Sequence, residues 1–285
     1  MLELSVKNAK GEILSFPDSP YYDVIITDGL TPANVNVSAT ELFGYDGAKL
    51  LGSQVGVRNI VLDIILKSDI EYARQNLYKY FPPNENIRLY LKNENRDMYI
   101  DGRVETFEAN LYSMKQRPQI SIICPQPFFI SKENVELSYS EIEAMFTFPF
   151  EIPVNMGIEF TAGSGSSNKA TFEGGDVNSG MIFEIKATKT FENGRTLTFT
   201  NGSQTMKIND IYMQIGDVLY INTFKGHKQI IIDRNIAGTV DNGMKYFSGD
   251  WLQVTSGTNN LVFENSASAT DIKVKAQAFK YYTGV

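Results

Sequence analysis

The chain is poor in the residues from which most catalytic and metal chemistry is built. Of its 285 residues one is cysteine, Cys124, one is histidine, His227, and one is tryptophan, Trp251. A single cysteine excludes an internal disulfide, and with one histidine no His/Cys metal site can be assembled from one copy of the chain. A Ser/His triad would have to use His227 in "FKGHKQ", which reads as a hairpin tip, where side chains are exposed and a base has no fixed partner. No apolar run approaches the roughly 20 residues of a membrane helix. The opening "MLELSVKNAKGEIL" lacks the basic region and apolar stretch of a signal peptide. The expectation is a soluble protein with no catalytic residues, metal, cofactor or membrane contact.

An excess of positive charge is missing as well. The formal charge is -7, with 14 basic and 17 acidic residues before residue 134 and 12 and 16 after it. Neither half holds the surplus on which tight nucleic-acid binding draws, so DNA passing close by should slide rather than stick. "GSGSS" at 163–167 has no lysine at Walker spacing and reads as a β-connection. Asp97 with Asp101, and Asp241 with Asp250, lack flanking groups that would separate their pKa values, so they read as solvated turn residues. "NVS" and "NGS" match a glycosylation pattern that is idle without secretion.

What is present is a β-rich pattern in two parts, and 285 residues suit two domains better than one. In residues 1–133, "YYDVIITD" is a strand ending at the turn signal Asp28-Gly29, and the next strand starts near Val55. Between them lie some 25 residues read as a long loop, carrying an apolar cluster of Leu42, Phe43, Tyr45, Leu50 and Leu51; loops of that length usually have a function. "VGVRNIVLDIILKSD" is apolar on both faces, so both are expected to be covered. Ser68 and Glu71 stand at capping-box spacing before a helix with Ile70, Ala73, Leu77 and Phe81 on one stripe, ended by Pro82-Pro83. Further strands lead to "CPQPFF", which starts a linker. The first domain therefore reads α+β with one helix. Residues 134–285 alternate as short strands, for example Met181, Phe183, Ile185 and Ala187 against polar neighbours, which signals an antiparallel sandwich. Trp251 opens the strand-like "WLQVT" and either fills the core or offers an exposed face to a sugar.

The order "YYDVIITD", long loop, "VGVRNIVLDIILKSD", short helix and "FPPNENIRLYLKNENRDMYIDGRVETFEANLYSMKQRPQISIICPQPFF" resembles the amino-terminal domain of siphophage distal tail proteins. The second half, through "GDVLYINTFKGHKQIIID", "DWLQVTSGTNNLVFEN" and "YYTGV", is similar to their galectin-like carboxy-terminal sandwich; the match is vaguest over 141–180. The resemblance implies a mainly β fold: a tail-tube-like ring domain, 1–133, and a β-sandwich, 134–285. It implies a structural virion component at the tail tip, assembled in the bacterial cytoplasm. Six copies would form a ring that joins the tail tube protein to the tail-associated and receptor-binding proteins and passes DNA without specific binding. Leu42, Phe43, Tyr45, Leu50 and Leu51 are then candidates for the protomer interface, since an apolar segment that cannot bury itself locally can clasp a neighbour. The alternative is a carbohydrate-binding baseplate protein with Trp251 in contact with the host cell wall. A tail-associated hydrolase has little chemistry to draw on.

Overall fold

The computed structural model describes residues 2–44, 46–113, 115–133, 135–139, 169–235, 239–265 and 272–285. It is mainly β with one α-helix and divides into two compact units: Met1–Glu133 with Tyr281–Val285, and Asn134–Lys280. Residues 281–285, read from the sequence as part of the sandwich, thus belong to the first unit. The "GSGSS" segment and most of 141–180 lie outside the described residues.

The first unit contains β1 (Glu3–Lys7), β2 (Ile13–Ser15), β3 (Tyr22–Asp28), β4 (Val35–Glu41), β5 (Ala48–Val55), β6 (Arg58–Leu66), α1 (Ile70–Tyr80), β7 (Asn86–Lys92), β8 (Asp97–Glu108), β9 (Gln119–Cys124) and β10 (Phe129–Ser131). Its main sheet runs β2-β1-β7-β8-β9-β6-β3, and every pairing along it is antiparallel. β6 alternates because one face is core: Ile60, Leu62 and Ile64 are fully buried and pack in one cluster with Ala73 and Leu77 of α1. Its other face is only half covered, and Val57, before the strand, is exposed, so the expectation of two covered faces holds for one. The helix has the expected apolar stripe, but the capping box does not form. Asp69 takes the N-cap place in a left-handed conformation with no side-chain cap bond. Ser68 Oγ donates instead to the Pro20 carbonyl, and Glu71 accepts from Arg74 and Gln75. "CPQPFF" does not pass straight into a linker, because β10 follows it and pairs with β8.

The second unit holds β11 (Val135–Tyr139), β12 (Lys169–Glu173), β13 (Met181–Ala187), β14 (Phe191–Asn201), β15 (Gln204–Met213), β16 (Val218–Asn222), β17 (Gln229–Asp233), β18 (Val240–Asn242), β19 (Phe247–Gly249), β20 (Thr258–Asn265) and β21 (Ile272–Ala278). One sheet runs β11-β21-β13-β16-β17-β18 and the other β12-β20-β14-β15-β19. Their inner faces share one core, as in a sandwich. Phe183 of the first sheet meets Phe199 of the second with ring centroids 4.8 Å apart, and Phe263 adds a third ring. A last strand, β22 (Tyr281–Tyr282), returns to the first unit and pairs with β10.

Candidate interaction surface

The stretch read as a loop between β3 and β6 is a β-hairpin. β4 and β5 pair with each other and join no other sheet. Their register sets Val35 against Val55, Val37 against Ser53, Ala39 against Leu50 and Glu41 against Ala48, with Asn36 against Gln54, Ser38 against Gly52 and Thr40 against Lys49. Cross-strand partners share a face and successive residues alternate between faces. One face therefore carries Val35, Val37, Ala39, Ala48, Leu50 and Val55, interrupted by Ser53 and, near the tip, Glu41, and the other carries Asn36, Ser38, Thr40, Lys49 and Gln54. Gly52 and Leu50 pair with consecutive residues, which leaves Leu51 as the extra residue of a β-bulge.

Among the described residues nothing covers the apolar face. Every described residue from Val35 to Gln54 is exposed. Phe43, at the tip, is fully exposed, Leu50 and Leu51 are each at 63%, and Leu42 is at 50%. Tyr45 lies outside the described residues. Val35 and Val37 extend the surface beyond the five residues picked from the sequence, and the alternation of "VNVSAT" was the signal for them. Full burial of each large apolar side chain contributes roughly 1.5–3 kcal/mol, and an isolated two-stranded ribbon is marginal in water.

The hairpin is exposed but its root is fixed. Arg58, the first residue of β6, is 2% exposed. Its Nη1 donates to the carbonyls of Gly29 and, at 2.6 Å, Thr31, where the chain enters the hairpin. Nε donates to Pro127 O at 2.6 Å and Nη2 to Thr283 O at 2.6 Å, and the guanidinium lies 4.4 Å over the Phe129 ring. A buried cation with no carboxylate is tolerated here because four carbonyls take its donors. Gly56 N donates to Asn34 O across the two legs, and Val285 N to Leu30 O. Close by, Cys124 is fully buried, and burial pushes its thiol up to about 12. Arg58 stands in phase with Ile60, Leu62 and Ile64 on the inward face of β6, so the period-two spacing was the signal for it, and its charge, which ordinarily places a side chain in solvent, pointed the other way.

Elsewhere the candidate groups are engaged locally. Trp251 does not open a strand. Residues 251–257 make one isolated bridge, Ser179 with Val254, and their backbone is held by side chains: Asn201 Nδ2 donates to Gln253 O, Gln253 N to Gln204 Oε1 and Thr255 N to Asn259 Oδ1. The Trp251 ring is half-buried against the sandwich core. Phe247 stacks on it at 4.5 Å, and Lys228 Nζ stands over it at 5.4 Å. Asp97 and Asp101 are not turn residues but members of β8, paired with Lys132 and Arg88, and Asp241 pairs with Arg234. His227 is exposed in the turn between β16 and β17. Among the described residues no three His, Cys, Asp or Glu side chains gather to hold a metal ion, and no helix is long and apolar enough to cross a membrane.

Comparison with known proteins agrees with this geometry. Residues 20–124 match the phage tail protein RIFT-related domain, a span that runs from β3 through the hairpin and helix to β9. In solved structures the whole chain is similar in fold to the SPP1 Dit protein (gp 19.1), a paradigm of the hub adsorption apparatus in phages infecting Gram-positive bacteria. The TM-score is 0.62 at 10% identity, over 97% of this chain and 98% of that one. Phage P2 baseplates in the activated conformation align at a TM-score of 0.49 and 10% identity. The calcium form covers 98% of this chain and the strontium form 97%, with 98% of the other chain in each case. No curated protein matches.

Proposed function

Because a phage tail protein RIFT-related domain makes up most of the first unit, we propose that the chain is the distal tail hub of a siphophage-like virion, a structural protein at the tail tip. In this reading six copies close a ring through the first unit and leave an axial channel, and the sandwich connects to the receptor-binding apparatus. The observation that carries the assembly is the amphipathic hairpin: its face is largely apolar, anchored at the root, and exposed among the described residues. Large uncovered apolar patches mark interaction sites, and a head-to-tail contact whose rotation closes makes a ring. The net charge of -7 suits a passage for a polyanion that must not be gripped. The fold likeness to SPP1 Dit over nearly the full length supports the same role. Mass photometry and electron-microscopy class averages of the purified protein are expected to show a six-fold ring, and a monomer at every attainable concentration would overturn the assembly.

The sugar-binding alternative rests on Trp251. Its ring already has Phe247 and Lys228 as partners within the sandwich, so packing accounts for its place. A glycan titration that binds, and is lost on Trp251→Ala with the fold intact, would reverse that judgement.

A further inference from the structure

The first unit carries, besides the hairpin, a second apolar feature that the described residues leave unfilled. A cavity of about 520 Å³ opens between the end of α1 and the outer part of β8, lined by Tyr78, Phe81, Pro83, Val104, Phe107 and Leu111 among others. Tyr78 and Phe107 meet edge to face, with centroids 4.9 Å apart, and form an aromatic wall. Leu111, in the lining, is 52% exposed, and the next residue, Tyr112, is fully exposed. The volume falls within the roughly 300–1,000 Å³ of sites that enclose small ligands, which is room for an aromatic ring. A small-molecule site would also need convergent polar groups, and Glu105 is the only ionisable carboxylate or amine in the lining.

We propose that this cavity receives the hairpin tip, Leu42 and Phe43, of a second copy of the chain. The proposal rests on the ring reading above and adds where the hairpin goes. Three observations select a sister copy as the occupant. The knob and the hole have the same chemistry and lie on one chain, so each subunit supplies one of each, as a repeating head-to-tail contact requires. A seven-residue strand at about 3.4 Å per residue carries the tip on the order of 20 Å from its root, which is reach for contact beyond the subunit. The area also closes. A stable interface takes about 800 Å² per partner, a little over half of it apolar. The exposed large apolar residues of the hairpin, Val35, Val37, Leu42, Phe43, Leu50 and Leu51, offer on the order of 400 Å².

The test uses the full-length protein and one cysteine per chain. Asp46→Cys sits at the exposed tip and keeps Phe43, Ala109→Cys sits in the cavity lining, and buried Cys124 stays silent. The two variants are mixed and treated with a short bis-maleimide. The expected result is covalent dimers that need both variants, with a ladder up to the full ring from the double variant; Leu111→Asp should weaken assembly by at least about tenfold while leaving the thermal midpoint of the dissociated chain unchanged. A ring that cross-links only tip to tip, or not at all, would overturn the seat and leave the ring reading standing. A chain that never assembles would overturn both.

Discussion

Arg58 shows how much one side chain can fix when its donors all find carbonyls. It ties the hairpin entrance, β10 and residue 283 together, so Arg58→Met should leave several buried acceptors unpaired, at roughly 1–3 kcal/mol for each that water cannot reach. Denaturant unfolding is expected to show a loss of about 3 kcal/mol or more, and Arg58→Lys should recover little, because a single ammonium cannot serve a planar fork of acceptors. Cys124 makes the complementary case. With its thiol pushed up to about 12 by burial, a thiol reagent at pH 8 should find nothing in the native protein and one equivalent after denaturation. In the second unit Asp217 is 1% exposed. Burial alone would raise its pKa, but the Asn235 amide, Arg234 and the Gln214 amide all donate to it, and the net shift is below the ordinary 3.8. A carboxylate lowered in the folded state contributes its full stability above its unfolded value and loses it as pH falls through the folded one. Acid titration should therefore show a stability loss below about pH 4 that Asp217→Asn flattens.

At the scale of elements the strands were legible where one face is core and the period is two, as in Met181 to Ala187, all of whose inward residues are buried. The helix was legible through its stripe, while its cap was not, because Ser68 finds the Pro20 carbonyl through tertiary contact that no local pattern encodes. The hairpin reads as a loop in the sequence for a related reason. Pro32 and the glycines at 44, 47 and 52 gave turn signals, and the small residues of "VNVSAT" alternate without the bulk that usually marks a buried strand. What selects a strand there is pairing across a bulge, which is a property of two segments together. Phe43→Asp and Leu50→Asp should accordingly leave the circular dichroism spectrum of the protomer unchanged and its unfolding free energy within about 0.5 kcal/mol of the parent, as expected at exposed positions, while scattering reports loss of the ring. Gly29 behaves oppositely. Its φ is +93° and an added Cβ would come within 2.2 Å of the Asn59 carbonyl, so Gly29→Ala should destabilise the first unit by more than about 1 kcal/mol.

For the molecule as a whole, two separate cores predict two unfolding transitions in calorimetry. Removal of Tyr281–Val285 should lower the first unit's midpoint and spare the sandwich, since those residues pair with β10 and bond to Arg58 and Leu30. The prolines of "CPQPFF" and the change of pattern after them pointed to a division near residue 133, but the return of the last five residues could not be read, because "YYTGV" names no partner. That return has a bearing on biosynthesis. A ribosome releases residues in order, and the brace under the hairpin comes after some 150 residues of sandwich. The apolar arm is thus left without this support until the sandwich has been synthesised, and nascent chains emerging side by side on a polysome would be slow to clasp one another before that point.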